Sequence, residues 1–173
     1  MLKDKKIAVI GAGHMGSALI GGLLRGKDVD PKDITATRRN PEAVEELRRR
    51  FGVHATTDNK KAVKGADLIL LAVKPQAAAG VLEDIAPALA KRPLIVSVMA
   101  GIPTAFINAK LRKPVPVVRA MPNTPALVDE AATAIAAGAH ATADDLKAAE
   151  AVFKAVGKGE ILPESLMDAV TGL

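Results

Sequence analysis

The sequence contains no cysteine, tyrosine or tryptophan, and phenylalanine occurs only three times in 173 residues. Without thiols the protein has no disulfide bond, no thiol nucleophile and no zinc–thiolate centre. No apolar run approaches the eighteen or more residues that a membrane-spanning helix needs. Residues 3–6 are charged and lead directly into an apolar run, which is not the pattern of a secretory leader. We therefore expect a cytoplasmic protein that does not contact a membrane.

Clusters of charge are also scarce. The net charge is +5, but the basic residues are scattered apart from short groups such as Arg48-Arg49-Arg50. No aromatic side chains interleave with them to stack on bases, so we predict no nucleic-acid partner. The histidines His14, His54 and His140 are isolated, and the carboxylates fall mostly on helix caps and surfaces. We therefore predict no metal site and no histidine acid or base.

The most informative segment present is IAVIGAGHMG, residues 7–16. It predicts a buried strand that ends in Gly-x-Gly-x-x-Gly and opens directly into a helix. In a dinucleotide site Gly11 permits the tight turn, Gly13 allows the backbone to approach a pyrophosphate, and Gly16 lets the helix lie close to the strand. The phosphates would then meet N–H groups at the positive end of that helix.

The residues that follow the second predicted strand indicate which dinucleotide is bound. About twenty residues after the glycine loop, an acidic side chain would bond the ribose 2′-hydroxyl of NAD. In this sequence Thr37 is followed by Arg38 and Arg39, with no carboxylate. A guanidinium matches a 2′-phosphate, so the pattern favours NADP, with NADPH preferred over NADH. The alternative is that these arginines are ordinary solvated charges.

Strands and helices alternate along the chain. This pattern predicts an α/β fold, a Rossmann-type, doubly wound and mainly parallel sheet with helices on both faces. The predicted strands are residues 7–10, 34–37, 53–55, 67–73, 94–98 and 115–119, followed by a weaker strand at 133–137, a helix at 142–156 and a strand at 159–162. In such a sheet the ligand lies at the carboxyl ends of the strands.

Three further segments are expected at that carboxyl edge. Lys74 could meet ribose or phosphate oxygens, or be a surface lysine. The small-residue turn Ala100-Gly101 could let a flat nicotinamide approach, or be a plain turn. Residues 119–126 (RAMPNTPA) are predicted to be a loop after the sixth strand, stiffened by two prolines, which holds polar groups at the edge.

Together these segments resemble the pyrroline-5-carboxylate reductase family. The matching runs are the glycine loop, ADLILLAVKPQ (66–76), VSVMAGI (96–102), VRAMPNTPALV (118–128) and LMDAVTGL (166–173). Met-Pro-Asn-Thr-Pro is much more specific to this family than the glycine loop, and the resemblance spans essentially the whole chain. It implies an enzyme of proline biosynthesis that transfers a hydride from NADPH or NADH to 1-pyrroline-5-carboxylate.

The resemblance also implies which residues contact the cofactor. In the family the Met-Pro-Asn-Thr-Pro segment lies near the nicotinamide, which carries the chemistry. The implied cofactor-binding residues are Gly11, Gly13, His14, Met15, Gly16, Thr37, Arg38, Arg39, Asn59, Ala72, Val73, Lys74, Ala100, Gly101, Met121, Pro122 and Asn123.

The family continues, after the run Thr-Gly-Leu, into a helical domain that makes the homodimer and supplies the substrate-binding residues. This sequence ends at Leu173. We therefore expect a dinucleotide-binding domain at residues 1–163, and at 164–173 the start of a helix leading towards the missing domain. Its apolar face, Leu166, Ala169, Val170 and Leu173, is expected to pack on a partner or a further domain.

Three functions remain open at this point. In the first, the catalytic residues lie in the missing domain, and the chain alone is weakly active or inactive although it binds NADPH. A homo-oligomer is expected for the full-length family. The second is another NADP-dependent reductase, for example one that uses a deazaflavin or a hydroxy acid. The third is a non-catalytic NADP-binding interaction module.

Overall fold

The computed structural model describes residues 2–27, 29–90, 92–123, 126 and 130–171. Its strands are β1 Ile7–Ile10, β2 Ile34–Thr37, β3 His54–Thr56, β4 Leu68–Leu71, β5 Leu94–Ser97, β6 Val117–Pro122, β7 Ala131–Ala137 and β8 Gly157–Ile161. Its α-helices are α1 His14–Arg25, α2 Pro41–Phe51, α3 Asn59–Val63, α4 Ala78–Ile85, α5 Thr104–Leu111, α6 Ala143–Lys154 and α7 Met167–Thr171. Short 3₁₀ turns precede β2, α4 and α7, and another follows α4.

The strands described form one sheet in the order β3-β2-β1-β4-β5-β6-β7-β8. The strands from β3 to β6 pair in parallel, and the chain reverses its direction of winding between β1 and β4. This is the doubly wound, Rossmann-type sheet that the sequence predicts. Strand β7 pairs antiparallel with β6, because residues 123–130 are too few for the crossover that a parallel pair requires. Strand β8 then pairs in parallel with β7.

Two hydrophobic cores cover the central part of the sheet. Alternate residues of a strand point to opposite faces, so Val9 and Leu70 pack beneath α1, α2 and α6. Ala8 and Ile69 face α3, α4 and α5. The continuous apolar runs of β1 and β4 are therefore explained by burial on both faces.

Local capping fixes the ends of several helices. The Asn40 side chain accepts a hydrogen bond from the Glu42 N–H at 2.8 Å, Pro41 follows as the first helical residue, and Gly52 ends α2 with φ +68°. An Asn-Pro pair at the start and a glycine at the end are the residue types that mark helix boundaries in a sequence. At the end of α1, Gly26 is the cap residue but has φ −65°, and the left-handed residue is Lys27 with φ +57°.

The segment near residue 170 packs on the sheet of its own chain through Met167, which is not one of the predicted face residues. Met167 is fully buried against Ala134 and Ala136, whereas Leu166 is 47% exposed. Of the other predicted face residues, Ala169 is exposed, Val170 packs partly against this cluster, and Leu173 lies outside the described residues. Residues 164–166 form a 3₁₀ turn, whose tighter spacing rotates Met167 inward and leaves Leu166 outward. Packing of the predicted face on a partner or a further domain stays a prediction.

Candidate dinucleotide site

The glycine loop lies at the point where the winding of the sheet reverses. Gly11 has φ +83°, and a Cβ built there would lie 2.6 Å from Val73 Cγ1 and 3.1 Å from Val73 Cα. A Cβ on Gly16 would lie 3.0 Å from the carbonyl oxygen of Gly11. Larger residues would therefore push the loop away from the end of β4 and α1 away from the loop.

Helix α1 begins directly at this loop. Its N-cap is Gly13, which offers no side-chain cap, and its first turn carries no acidic residue. The positive end of a twelve-residue helix is therefore presented to the edge of the sheet without a built-in counter-charge. This is the arrangement that binds a phosphate or pyrophosphate.

Strand β2 holds the loop in place through its last residue. Thr37 is 2% exposed, its Oγ1 accepts a hydrogen bond from the Gly11 N–H at 3.1 Å, and its carbonyl oxygen accepts from the Ala12 N–H at 2.8 Å. The sequence predicted a ligand contact at Thr37. The structure gives this residue bonds that fix the shape of the loop.

The two arginines after Thr37 occupy different positions. Arg38 is half-buried, and its Nη1 donates to the carbonyl oxygen of Ala12 at 2.9 Å. The same Nη1 would lie 3.4 Å from a Cβ on Gly13. Arg39 is exposed. Both cations therefore stand at the carboxyl end of β2, and one of them is already bonded to the loop.

A groove between α1 and α2 continues from the loop. It encloses about 240 Å³, and its lining includes His14, Ser17, Arg38, Glu46 and Arg50. A larger cavity of about 410 Å³ lies at the opposite, amino-terminal edge of the sheet, between Lys5, Asp67 and Asp145. The loop, and not the larger cavity, is the candidate dinucleotide site, because parallel sheets bind ligands at the carboxyl ends of their strands.

Other predicted contact residues gather at the same edge. Ala72 and Val73 follow β4 and lie beside the loop, because a Cβ built on Gly16 would lie 3.5 Å from Ala72 Cβ and one built on Gly11 would lie 2.6 Å from Val73 Cγ1. Lys74 is exposed, and Asn59 is the first residue of α3, after β3. Gly101 has φ +69°, and a Cβ there would have no neighbour within 4 Å, so the turn after β5 is open.

The predicted strand 115–119 ends too early, and residues 120–122, which were predicted to be loop, belong to it. Strand β6 continues through Met121 and Pro122, which pair with Ala134 and Thr133 of β7. Asn123 then closes the pair, because its Oδ1 accepts from the Ala132 N–H at 3.0 Å. Strand β7 supplies these partners, and the sequence reasoning did not foresee its pairing with β6. Thr124 and Pro125 lie outside the described residues.

The burial and ion pairing of Arg119 were not predicted from the sequence. This side chain is 3% exposed, and its Nη2 donates to Asp168 Oδ1 at 2.6 Å. Its Nη1 is 3.9 Å from Glu164 Oε1. The sequence feature that could have indicated this setting is an arginine inside the apolar run VVRAM of a buried strand. A buried charge requires partners elsewhere in the chain.

Two kinds of feature are absent from the described part of the chain, a metal-binding cluster and a membrane-spanning helix. No group of three or more histidine, aspartate or glutamate side chains among those residues is placed to hold a metal ion. None of the helices described is both long and apolar enough to cross a membrane.

The fold and the loop define a dinucleotide-binding domain of the Rossmann class of oxidoreductases. The chain belongs to the family described as NADP oxidoreductase, coenzyme F420-dependent, whose model matches residues 6–101. Pyrroline-5-carboxylate reductase of Methanosarcina acetivorans is 42% identical over 172 residues, which cover 99% of this chain and 64% of that protein. The resemblance predicted from the sequence is therefore confirmed.

Solved structures of pyrroline-5-carboxylate reductases superimpose closely on this chain. A pyrroline-5-carboxylate reductase from Coxiella burnetii has a TM-score of 0.93 and 32% identity, covering 98% of this chain and 63% of that one. A Plasmodium falciparum pyrroline carboxylate reductase with NADP bound has a TM-score of 0.86 and 25% identity, covering 98% and 62%. This chain thus spans less than two thirds of each of these relatives.

Proposed function

We propose that this chain is the NADP(H)-binding part of a pyrroline-5-carboxylate reductase, which reduces the imine of 1-pyrroline-5-carboxylate to proline. The observation that carries the proposal is the glycine loop at the reversal point of the sheet, with Arg38 bonded to Ala12 inside it. The similarity to reductases of this name over 99% of the chain supports the choice of substrate.

The residues present fit the cofactor. Gly13 at the start of α1 leaves room for a pyrophosphate, and a Cβ there would take up part of that space. The N-terminus of α1 attracts the negative charge of the pyrophosphate. Arg38 and Arg39 offer guanidinium groups to a 2′-phosphate. The open turn at Gly101 leaves space for a flat ring beside the backbone. NADPH, when bound, supplies the hydride.

The contribution of this chain to the reaction is binding and orientation. Holding the nicotinamide at the carboxyl edge turns hydride transfer into a step between two positioned groups, which removes much of the entropic barrier. Catalytic residues stay unassigned, because the proposal covers only the cofactor half of the site. The predictions of weak turnover by the chain alone, a homo-oligomer and a cytoplasmic location stay predictions.

A titration and an assay on one sample test this proposal. We expect the 173-residue chain to bind NADPH more tightly than NADH and to reduce 1-pyrroline-5-carboxylate far more slowly than a full-length relative. Failure to bind either dinucleotide would overturn the proposal. Turnover equal to that of a full-length relative would overturn the proposal that this chain holds only the cofactor half of the site.

A second candidate has one observation in its favour. The family model that matches residues 6–101 is described as coenzyme F420-dependent, so a deazaflavin is an alternative redox partner for NADP. Incubating the chain with NADP⁺ and reduced F420, and separately with NADPH and 1-pyrroline-5-carboxylate, distinguishes the two. Oxidation of reduced F420 alone would favour the second candidate.

A further inference from the structure

Arg119 is a buried cation that ties two distant segments together. It lies in β6, where it pairs in register with Ser97 of β5 and Ala136 of β7. Burial of a guanidinium is unfavourable unless anionic partners compensate it. Asp168 supplies one such partner at 2.6 Å, and Glu164 lies 3.9 Å from the other terminal nitrogen.

Glu164 in turn holds the start of α5. Its Oε1 accepts from the Thr104 N–H at 2.7 Å, and its Oε2 accepts from the Thr104 hydroxyl at 2.7 Å. Thr104 is the first residue of α5 and is 4% exposed. A residue sixty positions away therefore provides the cap that Pro103, the N-cap residue, does not.

Gly138 closes the other side of Thr104. A Cβ on Gly138 would lie 2.8 Å from both Cβ and Oγ1 of Thr104, so the two residues are in direct contact. Thr104 is thus fixed between the end of β7 and the carboxylate of Glu164. We call Arg119, Glu164, Asp168 and Thr104 the arginine cluster.

The arginine cluster lies next to the segments assigned to the nicotinamide. The open turn at Ala100 and Gly101 enters α5 at Thr104, only three residues after Gly101. Met121 lies two residues beyond Arg119 in the same strand. The cluster therefore fixes the relative position of both segments, whereas the glycine loop and Arg38 lie across the sheet on β1 and β2.

We propose that Arg119 is a positioning residue of the cofactor site, which acts through Glu164 and Thr104 to hold the Ala100-Gly101 turn against the nicotinamide. This inference rests on the proposed function, because it needs a dinucleotide whose nicotinamide end lies at that turn. It gives the two ends of the cofactor separate supports: the loop and Arg38 for the adenine and phosphate end, and the arginine cluster for the nicotinamide end.

Comparing NADPH with a fragment that lacks the nicotinamide tests the inference. Adenosine 2′,5′-bisphosphate retains the adenine end and the 2′-phosphate. In the full chain, Thr104→Val removes one hydroxyl donor to a carboxylate. We expect it to weaken the binding of NADPH about three- to tenfold. The affinity for the fragment should stay within about twofold, because that end contacts the loop. Arg119→Met should give the same pattern with a larger loss.

A matched control is available on the same helix. Lys110 of α5 pairs with Glu83 at 2.8 Å, away from the turn, so Lys110→Met should leave both affinities unchanged. Fluorescence of bound NADPH adds a spectroscopic readout, because a displaced nicotinamide should change its emission in Thr104→Val but not in Lys110→Met.

Two outcomes would overturn the inference. Equal losses of affinity for NADPH and for the fragment would mean that the cluster stabilises the whole fold and does not position the nicotinamide end. Unchanged affinities for both would mean that the cluster has no positioning role. If Arg119→Met does not fold, Thr104→Val decides alone. Failure of the unaltered chain to bind either compound would instead contradict the proposed function, so the two failures are distinguishable.

Discussion

Arg38 and Ala12 are joined across the site, because the guanidinium Nη1 of Arg38 donates to the carbonyl oxygen of Ala12 at 2.9 Å. The bond links the connection after β2 to the middle of the glycine loop. Arg39, the next residue, is exposed. The two arginines that the sequence treats as one phosphate-binding pair thus have separable roles, Arg38 in shaping the loop and Arg39 in presenting charge.

Single substitutions should separate these roles. A hydrogen bond between charged groups is worth about 1.5–3 kcal/mol, or roughly ten- to a hundredfold in affinity. We expect Arg39→Ala to weaken NADPH by about tenfold and to leave NADH unchanged, since NADH has no 2′-phosphate. Arg38→Ala should weaken the binding of both dinucleotides, and that of NADPH by the larger factor. Calorimetric titration of each variant with both dinucleotides measures this.

Arg49→Ala is the control for these two variants, because it removes an exposed arginine of α2 and should change neither affinity. Equal losses of NADPH and NADH affinity in the double variant of Arg38 and Arg39 would mean that neither arginine contacts the 2′-phosphate. The preference for NADP would then need another explanation.

Gly11→Ala tests whether the loop requires glycine. The left-handed backbone at φ +83° opposes a Cβ, and a Cβ built there would lie only 2.6 Å from Val73 Cγ1. We expect a loss of about 1–3 kcal/mol in the free energy of unfolding together with loss of NADPH binding. Gly80→Ala in α4 is the matched control, because a Cβ there meets nothing within 4 Å. It should stabilise the protein by about 0.4–1 kcal/mol in urea unfolding. Equal effects of the two variants would contradict the geometry.

Features set by neighbouring residues could be predicted from the sequence, and those set by distant ones could not. The caps at Asn40 and Thr142 and the turn at Gly11 depend on residues within a few positions. The extension of β6 through Pro122 depends on pairing with β7, and the partners of Arg119 are more than forty residues away. Short segments do not encode such contacts, so residues 120–122 were wrongly predicted to be loop and the arginine cluster was missed.

The capping box of α6 should make stability depend on acid. Asp145 accepts from Thr142 and, at 2.8 Å, from Arg92 Nη2. Burial opposes ionisation of this carboxyl, but the hydrogen bonds from Arg92 and Thr142 outweigh it and hold the pKa of Asp145 below its ordinary value. A lowered pKa means that the stabilisation is complete above the unfolded value of about 3.9 and is lost as the pH falls through the folded one.

Asp145→Asn should therefore destabilise the protein by about 1–2 kcal/mol at pH 7 and progressively less as the pH drops below about 4. Urea unfolding of both proteins between pH 7 and pH 3 measures the difference. Asp144→Asn is the control, because that side chain is 93% exposed and its ion pair with Lys147 should contribute less than about 0.5 kcal/mol. A difference that stays constant down to pH 3 would contradict the lowered pKa.

The packing of α7 gives the last prediction. Met167 is fully buried against Ala134 and Ala136 of β7, while Leu166 is 47% exposed. Met167→Ala should create a cavity and cost about 2 kcal/mol or more in urea unfolding, whereas Leu166→Ala should cost less than about 1 kcal/mol. Loss of α7 would also release Asp168 from Arg119 and loosen the adjacent turn that carries Glu164. Amide exchange at Thr104 should therefore rise in Met167→Ala only. A larger loss for Leu166→Ala than for Met167→Ala would contradict this packing of α7.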